Sequence, residues 1–164
     1  MNKKGFTLIE LIVAMAVFVI AISVVLSLFM MGLRAQRKAI ALQDVQDNAR
    51  FLLGFIAKEL RMSEINSVSS NTLNITRSDG REVEYVFVDG DLERSLPSDP
   101  SSSGVINSDQ VNIEGFFYGI GVGGGDGQQP RITIVLNISS TGGRIEEQAQ
   151  IEIQTTLSPR NLQL

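Results

Sequence analysis

Residues 11–33 read LIVAMAVFVIAISVVLSLFMMGL, without a charge or a proline. A helix rises about 1.5 Å per residue, so roughly 20 such residues cross the hydrocarbon of a bilayer. This run is long enough to span. The odd member of the stretch is Glu10, which has Phe6, Leu8 and Ile9 before it and Leu11 after it. An ionised carboxylate near hydrocarbon costs roughly 2.5–3.5 kcal/mol or more unless something pairs with it. No cation lies on the adjacent turns of the same helix, so Glu10 calls for a partner from elsewhere.

The residues ahead of the run read Lys3-Lys4-Gly5-Phe6-Thr7-Leu8-Ile9-Glu10. A basic leader, a glycine, an aromatic, Thr-Leu-Ile-Glu and then the long apolar run occur in that order. The string resembles the processing site of type IV pilins and of the pseudopilins of type II secretion. The resemblance covers about the first 33 residues. It implies cleavage between Gly5 and Phe6 by a membrane-embedded prepilin peptidase and N-methylation of Phe6. It also implies a role for Glu10 in assembly, pairing with the N-terminal amine of a neighbouring subunit. A secretory signal would place the apolar run before the cut and lose it; here the run stays.

Composition removes several kinds of chemistry. The chain has 164 residues, no Cys and no His. Thiol nucleophiles, Cys/His zinc sites, imidazole bases and disulfide staples are therefore excluded. The formal charge is −4, and 12 Lys+Arg face 18 Asp+Glu once Lys3 and Lys4 are set aside. An acidic balance argues against broad electrostatic binding of nucleic acid. Charge counting does not give the orientation, because Arg34, Arg37 and Lys38 flank the far end of the run and outnumber Lys3 and Lys4. The resemblance implies a cytoplasmic leader.

The domain expectation is a leader over 1–5, a membrane-spanning helix half over 6–33, an amphipathic half over 34–62 and a sheet domain over 63–164. The helix should run on because Leu42, Val45, Ala49, Leu52, Leu53, Ile56 and Leu60 form one apolar stripe. The absence of proline before Pro97 predicts no proline kink, and Gly32 and Gly54 are the weak points. Asp47 to Arg50 and Lys58 to Met62 resemble the helix end of PilW-like minor pilins and J-type pseudopilins; read plainly, they are a salt-bridged outer helix face. The tail Ser158-Pro159-Arg160-Asn161 resembles the same groups.

Past Ser63 the pattern turns to period two. Strands are expected at 72–76, 82–88, 92–96, 111–117, 131–139 and 145–157, with an Asp89-Gly90 hairpin and an exposed loop from Pro97 to Asp109. Turns, not helices, join them, which makes an antiparallel sheet with one wet face. The fold class is α+β: a long N-terminal helix packed on that sheet, the pilin-like architecture.

Other motifs carry little. Gly119 to Gly124 fits G-x-G-x-x-G, but a strand rather than a helix follows Pro130, so a pyrophosphate site lacks its helix N-terminus. Asp126 in that loop is a weak calcium candidate, with Asp109 or Glu114 as a second acid, whereas calcium wants six or more oxygens. Asn74-Ile-Thr76 and Asn137-Ile-Ser139 match the glycosylation sequon but fall in strands.

The expected function is a structural one without cofactor: a prepilin-like subunit, single-pass in the bacterial inner membrane. Its partners would be prepilin peptidase and other pilin or pseudopilin subunits. It would act as a minor pilin or pseudopilin of a type IV pilus, type II secretion or competence filament. The alternatives are a major pilin of the filament shaft, a membrane-anchored tip adhesin or DNA-uptake subunit, and a single-pass enzyme anchor.

Overall fold

The computed structural model describes residues 5–122 and 128–160. Helix α1 runs from Leu8 to Arg61 without a break. Its 54 residues make it about 80 Å long. It passes through Gly32 and Gly54, so neither glycine interrupts it. The helix starts two residues later than expected, because Thr7 is the N-cap rather than a helical residue.

Among the described residues eight strands follow, in two antiparallel sheets. The first sheet is a meander, β1 (Ser63–Val68), β2 (Thr72–Arg77), β3 (Glu82–Val88), β4 (Asp91–Ser95) and β5 (Gly104–Val105). The second holds β6 (Val111–Ile120), β7 (Arg131–Ser140) and β8 (Gln150–Leu157). One sheet was expected. The split arises at β6, which crosses the turns of the first sheet instead of pairing with one of its strands. Ile113 N–H donates to Gly90 O at 2.7 Å, and Phe117 N–H donates to Ser70 O at 2.8 Å. Those turn carbonyls take two of the N–H groups on one edge of β6, while β7 pairs along the other edge.

The alternation expected for the strands places their inner faces correctly. Leu73, Ile75, Val83, Tyr85 and Phe87 are buried in the first sheet, and Ile132, Ile134, Leu136 and Ile138 in the second. Register stacks them in rows: Leu73 faces Tyr85, Ile75 faces Val83, and Ile138 lies between Ile113 and Ile151. Phe87 stacks on Phe117 at a centroid distance of 4.7 Å, which joins the two sheets. Gly115 makes that possible: a Cβ there would lie 2.5 Å from Val135 O and 2.8 Å from the Phe87 ring. At the β3–β4 turn Asp89 and Gly90 both have positive φ, 50° and 88°, the type I′ geometry that fits the twist of a hairpin.

The helix seats on this layer through Ala41, Val45, Ala49, Leu52, Ile56 and Leu60. Two members of the expected stripe move. Leu42 is exposed and Ala41 takes its place, because steps of 4-4-3-4-4 keep one face on the sheets. Leu53 lies half-buried at the margin.

Three further differences concern local chemistry. Strand β1 was not expected; its burial alternates only to Ile65, where a register shift interrupts the pairing with β2. The 97–109 stretch is not wholly an exposed loop. It holds a 3-10 turn, strand β5 and buried Asn107, whose Nδ2 donates to the Asp91 carboxylate at 2.8 Å while its Oδ1 accepts from Leu92 N–H at 2.9 Å. The last strand starts at Gln150, not Ile145, after a 3-10 turn at Ile145–Glu147.

Candidate functional site

The N-terminal start of α1 is the candidate site. Gly5 and Phe6 are exposed and extend ahead of the helix. Phe6 is 85% exposed. Thr7 then turns the chain into the helix. Its hydroxyl accepts from Glu10 N–H at 3.3 Å, while Glu10 Oε2 accepts from Thr7 N–H at 2.9 Å and from the Thr7 hydroxyl at 3.0 Å. This reciprocal pair is a capping box, which satisfies two backbone donors that a helix start leaves open.

The partner sought for Glu10 is therefore supplied in part by its own chain. The expected partner was a cation; the observed one is Thr7. Thr7-Leu8-Ile9-Glu10 is the T-x-x-E signature ahead of an apolar run, and it was the signal to read. The carboxylate sits beside the positive end of the helix dipole, where an anion is favoured. A cation brought to the same oxygens would find a carboxylate already held in one orientation.

The helix behind it is open on every side through its apolar half. Phe18, Ile20, Val25, Leu28 and Met31 are all exposed. Ser23 and Ser27 hide their hydroxyls by donating to Val19 O at 2.7 Å and Ser23 O at 2.8 Å. This is a helix long and apolar enough to cross a membrane, with its polar groups satisfied internally.

A second polar cluster lies where α1 meets the first sheet. Glu59 accepts from Arg94 Nε at 3.0 Å and from Arg94 Nη2 at 2.7 Å, and also from the Tyr85 hydroxyl. Arg77 Nε stands 3.5 Å from the same carboxylate. The Arg94 guanidinium also lies 5.8 Å from the centre of the Phe55 ring. Glu59 and Arg94 are nearly covered, with 12% and 13% of their side chains exposed. Burial alone would raise the Glu59 carboxyl; the Arg94 and Tyr85 hydrogen bonds and the charges of Arg94 and Arg77 outweigh it and hold the group below the usual carboxylate range. Burial, with the bond to Glu59, pushes the Tyr85 phenol well up. The hydrogen bond to Glu59 outweighs burial and raises Arg94.

The salt-bridged outer face expected for this part of the helix is thus wrong for Glu59, which points into the sheet. The acid, the tyrosine and the two arginines come from α1, β3, β2 and β4, so no local spacing announces them. With its carboxylate fully engaged, the cluster clamps the helix to the sheet. The tail adds a second tie, since Arg160 N–H donates to Arg61 O at 2.9 Å. Pro159 is buried beside it.

The remaining candidates do not converge. Asp126, Gly123 and Gly124 lie outside the described residues, as does Asn161. Gly121 has a φ of 69° and turns the chain out of β6, and residues 128–130 lead into β7; among the described residues no helix follows the glycines before β7. Asp109 takes part through its backbone carbonyl, which accepts from the Thr141 hydroxyl at 3.2 Å. Glu114 lies on the wet face of β6, opposite Asn137. Asn74 donates to Ser67 and Asn137 accepts from Gln150, both inside strands as expected.

A family model described as the prokaryotic N-terminal methylation motif matches residues 1–33. The match supports a type IV pilin-like chain, with the membrane anchoring, prepilin-peptidase processing and assembly with other pilins that such a motif implies. No curated protein and no solved structure gives a match.

Proposed function

We propose that the chain is a prepilin-like structural subunit, cleaved after Gly5, N-methylated on Phe6 and assembled through Glu10 as a minor pilin or J-type pseudopilin. The supporting observation is the N-terminus as a whole: the matched motif over residues 1–33, followed by a single helix whose first half is apolar and uncovered. Before assembly α1 holds the subunit in the bacterial inner membrane, with the leader cytoplasmic and the sheet domain outward. Leaving the bilayer is tolerable because the same apolar surface is buried again against the helices of other subunits. Glu10, oriented by Thr7, meets the amine of a neighbour's Phe6. In an apolar setting that ion pair fixes register even where its net stabilisation is small. The motif belongs to structural subunits, and the domain serves as contact surface for partner subunits or cargo.

The test is the mass of the N-terminal peptide after co-expression with a prepilin peptidase. A peptide that starts at Phe6 and carries one added methyl group is expected. A peptide still starting at Met1, beside a control substrate that is cut, sinks the reading. The assembly role is separate: Glu10→Ala should keep insertion and cleavage and lose incorporation into filaments. Counting subunits in purified filaments distinguishes a minor from a major pilin.

A further inference from the structure

The helix stripe that carries the domain runs back from Leu60 through Ile56, Leu52, Ala49 and Val45 to Ala41. The same spacing continued toward the N-terminus meets Lys38, Arg37 and Arg34. Residues three, four and seven apart share one helix face. Three cations therefore lie below the domain, on the face it overhangs. The apolar run ends at Leu33, immediately before them. Arg37 is about 6 Å further along the axis, a depth that corresponds to the headgroup layer of a bilayer spanned by the run.

The domain reaches down to the same level. After β7 the chain makes a turn over residues 141–148 and packs against α1, with the Glu147 carboxylate 3.9 Å from Arg37 Nη1. The turn is firmly held. Ser140 N–H donates to Ala149 O at 2.9 Å, the Ser140 hydroxyl donates to Glu147 O at 2.6 Å and accepts from Ala149 N–H at 2.8 Å, and Thr141 N–H donates to Gln110 O at 3.0 Å. Beside these ties Ile145 is 82% exposed, more than any other large apolar side chain described beyond α1. Exposed Arg144 precedes it. The four cations outnumber the two acids of the turn, Glu146 and Glu147.

We propose that this turn and the helix cations seat the domain on the surface of the membrane that α1 crosses. Ile145 enters the headgroup layer, and Arg34, Lys38 and Arg144 bind the phosphates of anionic phospholipids. An exposed apolar side chain next to Arg144, on a turn that meets α1 at Arg37 where the spanning run ends, matches an anionic bilayer surface in both charge and depth. The seat also accounts for basic residues on the domain side of the span. It rests on the spanning reading of α1.

The chain has no tryptophan, so single-tryptophan variants of the full chain report on depth. The probe is a phosphatidylcholine nanodisc with or without phosphatidylglycerol, its lipids brominated at a shallow or a deep acyl position. Ile145→Trp should be blue-shifted and quenched by the shallow bromine, at least twofold more with phosphatidylglycerol. Phe116→Trp, on the wet face of β6, should stay unquenched. Replacing Arg34, Lys38 and Arg144 by Gln in the Ile145→Trp chain should abolish the phosphatidylglycerol effect. Val25→Trp tests the span and should be quenched by the deep bromine. If Val25→Trp is quenched and Ile145→Trp is not, the seat is overturned and the span stands. If neither is quenched, both fall. Quenching of Ile145→Trp that ignores phosphatidylglycerol and the Gln substitutions overturns the headgroup contact.

Discussion

Glu59 and Tyr85 show how much one side-chain cluster governs the junction of helix and sheet. Removing the acid leaves Arg94, 13% exposed, without its bidentate partner. Glu59→Ala should therefore cost roughly 3 kcal/mol, read as a shift of the urea midpoint in detergent. Tyr85→Phe removes one hydrogen bond to a charged acceptor and should cost roughly 1.5–3 kcal/mol. The pH dependence has two signs. The Glu59 carboxyl is lowered by folding, so below its ordinary range the unfolded chain binds the extra proton. Its contribution is present above about pH 4.5 and is lost as pH falls through the lower folded value. The Tyr85 phenol is raised, so its contribution is present below about pH 10 and is lost as pH rises through the higher folded value. Stability measured from pH 2 to 12 should show both limbs. The acid limb should flatten in Glu59→Gln and the alkaline limb in Tyr85→Phe; limbs unchanged in these variants would remove the cluster as their source.

At the scale of elements, α1 is two helices in one. Its C-terminal half is held by packing, so Leu52→Ala, at a side chain with no exposure, should cost roughly 2–5 kcal/mol. Ser27→Ala, in the apolar half, should leave the thermal midpoint of the domain unchanged, since that hydroxyl bonds only within the helix. Among the strands, Gly90 carries the β3–β4 turn at a φ of 88°. A Cβ there would meet Asn112 at 3.4 Å, an ordinary contact, so the cost of Gly90→Ala is conformational, about 1–2 kcal/mol. Gly115→Ala is different in kind: its backbone is unremarkable but its Cβ would overlap Val135 O and the Phe87 ring. It should cost about 1–3 kcal/mol and disturb the Phe87–Phe117 stack, visible in the near-ultraviolet circular dichroism.

For the whole molecule, the core begins at Ala41, and no residue before it is buried among those described. A chain starting at Ala35 should fold, stay in solution and melt within a few degrees of the full chain in detergent. A loss of cooperative melting would show that the apolar half of α1 supports the domain. Two ties close the domain at its far end: the Glu59 cluster and the Arg160 N–H on the last helical carbonyl of Arg61. Together they hold the helix end and the tail in one place.

The amino-acid sequence by itself determined the parts whose cause is local. The uncharged run, the Thr7-x-x-Glu10 cap, the stripe on α1, the strand alternation and the Asp89-Gly90 turn each follow from periodicity or backbone preference within a few residues. The N-terminal methylation motif over residues 1–33 is equally legible, because it is a run of residue types in order rather than a tertiary arrangement. Only the tertiary structure decided that the strands divide into two sheets, since β6 takes its second set of hydrogen bonds from the turns at Ser70 and Gly90 rather than from a strand. It alone decided that Glu59 faces inward and that Asn107 is buried, because their partners lie far along the chain. It also brought Glu147 to 3.9 Å from Arg37, more than a hundred positions away, through the return of the chain after β7. Hydrophobic period reports which face is covered; it does not report what covers it.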